Sequence, residues 1–317
     1  MPVTRKRPVL SVGEVLLDLA AWPPGTPLVE MQHLRPLQGG SPANVAVGLS
    51  RLGVPTALLG TVGTDVLGDW LIRQLGREGV ETGLLARVPQ RTGMVFLSVS
   101  RGGERQFLHV RHASADNALA PEHLPADVAT RAGWLHFSSG PLRTPGGRRA
   151  IRMLRSQAAR AGVPVSVDVN LRPGVWPSLE ANAKAVWRAS AGVDVLKANE
   201  DEAPALTGER NLERALRRMR AHAGRLAVIT LGPRGAMALG QGGVVRVPSP
   251  DVRVVDTTGA GDAFMAGLLS VLAHATDWDD DVLTRALREG CRCGARVCTA
   301  LGATTAMPRS GRRARGG

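Results

Sequence analysis

Short apolar runs recur along the whole chain, and their placement limits the folds open to it. They lie at Val9–Leu17, Ala57–Val62, Trp134–Ser138, Val163–Val169, Val193–Ala198 and Leu226–Leu231. Most are largely apolar, as in strands buried on both faces. Segments with helical spacing lie between them: Val45, Leu49 and Leu52 in one, Ile151, Leu154 and Ala158 in another, and a helix near Leu67–Gly79. Strands alternating with helices over 317 residues predict an α/β fold. The expected architecture is a three-layer sandwich, with a mostly parallel central sheet covered by helices on both sides, in a single domain spanning 1–317.

Two segments break the rhythm. Residues 20–37 are Pro-rich and read as irregular, and residues 94–111 read as a β-hairpin around Gly102-Gly103. Together they predict a small β appendage. Shorter strands are expected at Ala236–Leu239, Val244–Val247 and Val252–Val255, then helices at Asp262–His274 and Asp279–Thr299. In the first helix, Ser41 is the expected N-cap, Pro42 the first helical residue and Gly53 the stop.

Composition narrows the function classes. The chain is 44% apolar and 21% charged, with no apolar run long enough for a membrane span. Glu14 and Asp18 interrupt the apolar stretch after Arg5-Lys6-Arg7. No signal peptide and a cytoplasmic location are therefore expected. Cys291, Cys293 and Cys298 are odd in number and clustered, which argues against a disulfide framework and lacks the paired spacing of a zinc site. They are expected to be small buried residues of a late helix. The net charge is +13, yet only Lys6, Lys184 and Lys197 are lysines, and the arginines are dispersed apart from the cluster at 309–315. A basic nucleic-acid-binding protein is the rival reading from that charge. Such proteins also favour aromatic stacking platforms, and here there are no tyrosines and only four phenylalanines. The expectation is therefore no nucleic-acid or membrane partner, with 309–317 a disordered basic tail.

The segment Asp256-Thr-Thr-Gly-Ala-Gly-Asp262 carries the chemistry. A strand ends, Gly259 and Gly261 allow a sharp turn, and a helix starts near Asp262. The amides of Gly259, Ala260 and Gly261 at a helix N-terminus form an anion site suited to a transferring phosphoryl group. A carboxylate there can take the proton of an attacking hydroxyl. A lone Gly-x-Gly-Asp reads more readily as an Asp that only caps its helix. No Gly-x4-Gly-Lys-Ser/Thr, Gly-x-Gly-x-x-Gly, His-Glu-x-x-His or Gly-x-Ser-x-Gly occurs.

A second motif, Gly39-Gly40-Ser-Pro-Ala-Asn44, lies more than 200 residues upstream. The pair resembles the two signatures of the PfkB (ribokinase-like) carbohydrate kinases, in that family's order, and the likeness extends over about residues 9–308. The resemblance implies a sandwich with a β-sheet lid, built here from about 15–37 and 93–112. It also implies ATP with Mg²⁺, a small sugar as substrate, and a homodimer paired through the lid. Asp262 would be the base. Asp18, Gly39, Gly40 and Asn44 would hold the sugar. Asn199 and Glu202, in Asn-x-x-Glu, would hold Mg²⁺ through water. Thr230, Gly232 and Gly235 would form the nucleotide loop, with Lys197 facing ATP. Asp256 and Thr258, with Leu301-Gly-Ala-Thr304, would shape a K⁺ site.

Two segments resemble fructokinases within that family. Arg111-His-Ala-Ser-Ala-Asp116 is similar to Arg-x-Pro-Ser-Ala-Asp, with Ala113 in place of Pro, and Asp168-Val-Asn170-Leu-Arg172 is similar to Asp-x-Asn-x-Arg. The resemblance adds Arg111, Asp168, Asn170 and Arg172 to the substrate side. The second segment also resembles that of 2-keto-3-deoxygluconate kinases, and its Arg172 guanidinium, on a loop after a strand, can grip either a phosphate or a sugar-acid carboxylate. The expected acceptor is fructose, with the sugar acid as the alternative. One position departs: Cys291 stands where fructokinases usually carry an Asn near the adenine.

Overall fold

The computed structural model describes residues 7–99, 105–172 and 174–310. The turn at Gly102-Gly103 and tail residues 311–317 lie outside the described residues. Among the described residues, nine strands form one sheet in the order β13-β12-β11-β10-β9-β8-β1-β4-β5. These are β1 (Val9–Val12), β4 (Thr56–Gly63), β5 (Leu85–Val88), β8 (Trp134–Ser138), β9 (Val165–Asp168), β10 (Val195–Asn199), β11 (Leu226–Thr230), β12 (Ala236–Leu239) and β13 (Val244–Val247). From β5 to β11 every pairing is parallel, and β12 and β13 add an antiparallel edge.

Eight α-helices cover this sheet among the described residues. On one face α3 (Pro145–Arg160), α4 (Leu179–Ala189), α5 (Glu202–Thr207) and α6 (Leu212–His222) pack on Leu10, Leu135, Phe137, Val167, Leu196 and Ile229. On the other lie α1 (Ser41–Arg51), α2 (Val66–Arg77), α7 (Ala260–Leu272) and α8 (Asp280–Val297). Each fully buried Leu, Val or Phe contributes about 1.5–3 kcal/mol. The faces differ. Toward α3–α6 the central strands show only apolar side chains. Toward α1 and α7 the alternate positions carry Ser11, His136, Ser138, Ser166, Asp168 and Lys197, all buried. A strand interior covered by helices is ordinarily apolar on both faces, so this polar file marks where the molecule departs from simple packing.

A second sheet has the order β3-β2-β6-β7, from β2 (Leu16–Trp22), β3 (His33–Gly39), β6 (Met94–Val99) and β7 (Arg105–Val110). Several sequence expectations are corrected here. The first apolar run is not one strand, because Gly13 at φ +145° breaks it and sends β2 into the small sheet. Residues 20–37 are not irregular throughout: they hold the end of β2 and most of β3, paired from Leu16↔Gly39 to Trp22↔His33. Prolines suit such an edge strand, since they need no donor on its open side. Residues 252–255 form no strand, and Val254 and Val255 are exposed. Their apolar character made a strand look plausible, but among the described residues no partner strand lies beside them. Ser41 is not the cap of α1. Gly40, at φ +101°, holds that position, and a Cβ there would collide with the Glu14 carbonyl.

The last described residues are anchored. The Ser310 amide donates to the Arg51 carbonyl at 2.7 Å, and Arg309 pairs with Glu78 at 3.0 Å. All three cysteines are buried, Cys291 and Cys293 in α8 and Cys298 just after it. Burial pushes the thiols of Cys291 and Cys293 up to about 11 and about 12, so they are inert as nucleophiles.

Candidate active site

Asp262 is the third residue of α7, which begins two residues earlier than the sequence predicts. Its first turn opens from Gly259, at φ +79°, so the amides behind it point away from the helix. Gly259 must lack a side chain, because a Cβ would strike Ala303 at 2.5 Å. Asp262 is buried, and both its oxygens are held from α1. Ser41 Oγ donates to Oδ1 at 2.7 Å, and Asn44 Nδ2 donates to Oδ2 at 2.7 Å. The two glycine motifs, far apart in sequence, thus meet at one carboxylate.

A network fixes both donors. Gln38 Nε2 donates to Asn44 Oδ1 at 3.0 Å, and Asn170 Nδ2 donates to Ser41 Oγ at 2.6 Å. Ser139 Oγ donates to the Asn170 carbonyl at 2.6 Å. Asn170 sits at φ +43°, where an Asn is tolerated better than most residues. Sequence reasoning missed Ser41, Gln38 and Ser139 as site residues. Ser41 was hidden because a Ser before Pro at a helix start signals a cap, while its hydroxyl is in fact spent on Asp262.

Asp18 lies on the face of β2 turned to the cleft, half-buried. Gly39, paired with Leu16 in β2, is its diagonal neighbour across the two strands, and a Cβ there would collide with the carboxylate. Burial pushes the Asp18 carboxyl up to about 7; Arg172 and Arg111 draw it down, and Asp262 and Asp256 add to the rise. Arg111 does not point freely into the cleft. Its Nε and Nη2 both donate to Asp116 Oδ2, at 3.1 and 2.7 Å, and Ser114 Oγ donates to Oδ1 at 2.5 Å. The Arg-x-x-Ser-x-Asp segment is therefore a self-braced loop. Arg172 is exposed on the loop after β9.

Asp168 and Lys197 face each other on adjacent strands. Lys197 Nζ donates to Asp168 Oδ1 at 2.9 Å and Oδ2 at 3.1 Å, with both side chains buried. The structure thus joins a residue expected on the sugar side to one expected on the nucleotide side. Burial lowers the Lys197 pKa, but Asp168 and then Glu202 more than reverse this, so the ammonium is kept. Burial, with the charge of Lys197 second, pushes His136 down to about 3, and its ring is neutral beside Ser166 Oγ at 2.9 Å.

At the other end of the cleft, Asn199 and Glu202 hold the turn into α5. Asn199 Oδ1 accepts the amides of Asp201 and Glu202, and Glu202 accepts those of Asn199 and Leu171, at 2.8–2.9 Å. Their oxygens fit a cation through intervening water, not as direct ligands. Among the described residues no cluster of three His, Cys, Asp or Glu could hold a metal directly. Thr230 ends β11 opposite Asn199, and Gly232 (φ +56°) and Gly235 (φ +99°) turn the chain into β12. Asp256 ties two loops together: Oδ1 accepts the Thr258 amide and hydroxyl at 2.9 and 2.7 Å, and Oδ2 accepts the Gly302 amide at 2.9 Å.

A buried carboxylate at a bare helix N-terminus, between a small sheet and the strand ends of an α/β sandwich, suits phosphoryl transfer to an alcohol. That is the class of small-molecule kinases. The chain belongs to the pfkB family of carbohydrate kinases, whose family model matches residues 6–310. It is 37% identical over 306 residues to probable fructokinase-7 of Arabidopsis thaliana, covering 95% of this chain and 89% of that one. The fructokinase of Vibrio cholerae in its fructose-, ADP- and calcium-bound form is similar at a TM-score of 0.85 and 34% identity, over 95% of this chain and 96% of that one. A double mutant of that enzyme, bound to fructose, ADP and potassium, has a TM-score of 0.86 at the same identity, over 96% and 97% of the two chains. Aminoimidazole riboside kinase of Salmonella enterica, with aminoimidazole riboside and an ATP analogue, has a TM-score of 0.82 at 30% identity, over 95% and 96%. Among the described residues no helix is long and apolar enough to cross a membrane.

Proposed function

We propose that this kinase is a fructokinase, transferring the γ-phosphate of ATP to a primary hydroxyl of fructose with Asp262 as general base. The observation that carries the reading is the placement of Asp262, gripped by Ser41 and Asn44 in the first turn of α7. The sugar lies between the main and small sheets, against Asp18, Gly39, Gly40 and Asn44, with Arg111 bracing the loop beside it. Asp262 takes the hydroxyl proton as the new O–P bond forms, and the bond from Pγ to the β–γ bridging oxygen breaks to release ADP. The Gly259, Ala260 and Gly261 amides oppose the charge on the transferring oxygens. The small sheet acts as a lid, and its closure excludes water and limits ATP hydrolysis.

Thr230, Gly232 and Gly235 line the nucleotide side. Mg²⁺ bound with ATP supplies charge neutralisation at the phosphates, and Asn199 and Glu202 would hold it through water. Asp256 and Thr258, tied to Gly302, would shape the K⁺ site. A sugar acid such as 2-keto-3-deoxygluconate is a second reading, favoured by the exposed Arg172 guanidinium, whose charge reaches Asp18 and Glu14. An ATP-consumption assay should span fructose, 2-keto-3-deoxygluconate, ribose, tagatose 6-phosphate, adenosine and aminoimidazole riboside. Fructose should give the highest kcat/KM; turnover of none of these would refute the reading.

The outward face of the small sheet supports a homodimer through the lid. Leu34, Leu108 and Val110 are exposed there, on the side away from Asp18. Light scattering should give twice the chain mass, and Leu108→Arg should return the monomer. A monomeric wild type would end this part of the proposal.

A further inference from the structure

No step above uses the ion pair beneath the phosphoryl loop. Lys197 and Asp168 are 3% and 1% exposed, and the ammonium meets both carboxylate oxygens. Glu202 and Asp262 also bear on this lysine, so three carboxylates share one cation. Desolvating two charges offsets most of their attraction, so stability alone explains such a pair poorly. Its position explains it better. A Cβ on Gly261 would lie 3.0 Å from Lys197 Nζ and 3.9 Å from Asp168 Oδ2. The missing side chain at 261 lets the ammonium lie directly against the loop on which phosphoryl charge develops.

We propose that the Lys197–Asp168 pair is a positioning device for phosphoryl transfer: the ammonium sets a fixed positive charge behind Gly259–Asp262, and Asp168 holds it there. The proposal rests on Asp262 being the base. A charge oriented in advance, on side chains buried from solvent, opposes the developing negative charge without reorganisation. Lys197 then acts through the loop, which differs from the direct ATP contact implied by the family resemblance. Among the described residues, the groups that bear on Asp262 include Lys197 from β10, Asp168 from β9 and Asp18 from β2 by charge, and the neutral Ser41 and Asn44 from α1 by hydrogen bonds. Glu202 from α5 reaches it through the shared lysine.

The test compares Lys197→Met, Lys197→Arg, Asp168→Asn and Asp262→Asn, using ATP, Mg²⁺ and the panel sugar of highest kcat/KM. Lys197→Met should lower kcat by about 100-fold or more, as for loss of one transition-state donor, with both KM values nearly unchanged. Lys197→Arg keeps the charge and should retain more of kcat. The acidic limb of the kcat–pH profile should move up in Lys197→Met and down in Asp168→Asn, by roughly 0.5 unit or more each, since one variant removes a cation near the base and the other an anion. Calorimetric ADP binding shows which variants are folded. If Lys197→Met is not, the opposite limbs of Asp168→Asn and Lys197→Met cannot be compared, and Asp168→Asn decides alone: an unmoved or raised limb overturns the proposal. A tenfold or larger rise in KM for ATP at near-normal kcat would also overturn it, making Lys197 a nucleotide ligand. Limbs that stay put in both variants would reduce the pair to packing. Asp262→Asn separates the failures: if it keeps turnover, the base assignment falls, whatever the lysine does.

Discussion

Asp262→Asn should abolish nearly all turnover while leaving the fold and ADP binding in place. General-base removal lowers rates by about 10²–10⁴-fold, and the fall should appear in kcat rather than in either KM. The substitution is close to isosteric but not silent. Asp262 accepts from Ser41 on one oxygen and from Asn44 on the other. An amide can keep only one of these two bonds in its present form, because its NH₂ would face a donor. A loss of roughly 1 kcal/mol of stability is expected from that mismatch, which melting curves would detect. Near-normal kcat in a folded variant would remove Asp262 from the mechanism.

The second large effect is expected at Asp18. Hydrogen bonds to a charged group are worth about 1.5–3 kcal/mol, so Asp18→Ala should weaken sugar binding by roughly 10–100-fold for each hydroxyl it holds. ATP binding, at the other end of the cleft, should change little. Gly39→Ala should reproduce much of the loss, since its Cβ displaces the same carboxylate. The carboxyl of Asp18 is raised to about 7, so sugar binding by the wild type should strengthen as pH rises from 6 to 8. Calorimetry reads this without the rate, and Asp18→Asn should flatten it. Stability runs the opposite way. Between the ordinary 3.8 and about 7 the folded protein holds a proton that the unfolded chain releases. This group therefore adds stability as pH falls through that window, and the gain is absent above it. A pH-independent sugar affinity would contradict the assignment.

Residues with strong local signals were legible in the sequence. The largely apolar runs at β4, β8, β10 and β11 were legible as strands, because strands covered by helices on both faces are apolar at most positions. The glycine turn before α7 was visible from Gly259 and Gly261 themselves, and at Gly259 a side chain would indeed collide with Ala303. Residues 16–39 were harder, because the edge strand β3 keeps Pro36 and exposed residues, and its partner β2 is itself secured by β6, far along the chain. Val252–Val255 failed in reverse, with strand-like residues and, among the described residues, no partner strand.

The amino-acid sequence by itself determined the layered α/β plan, the paired glycine motifs and the identity of the carboxylate at the head of α7. These are set by periodicity and by local backbone demands, which residues a few positions apart already express. Only the tertiary structure decided which polar groups face one another. It turned Ser41 from a helix cap into a donor to Asp262, closed Arg111 onto Asp116, and joined Lys197 to Asp168 beneath Gly261. Such pairings depend on strand order and on helices meeting across the sheet, and neither is encoded in the spacing of the residues concerned.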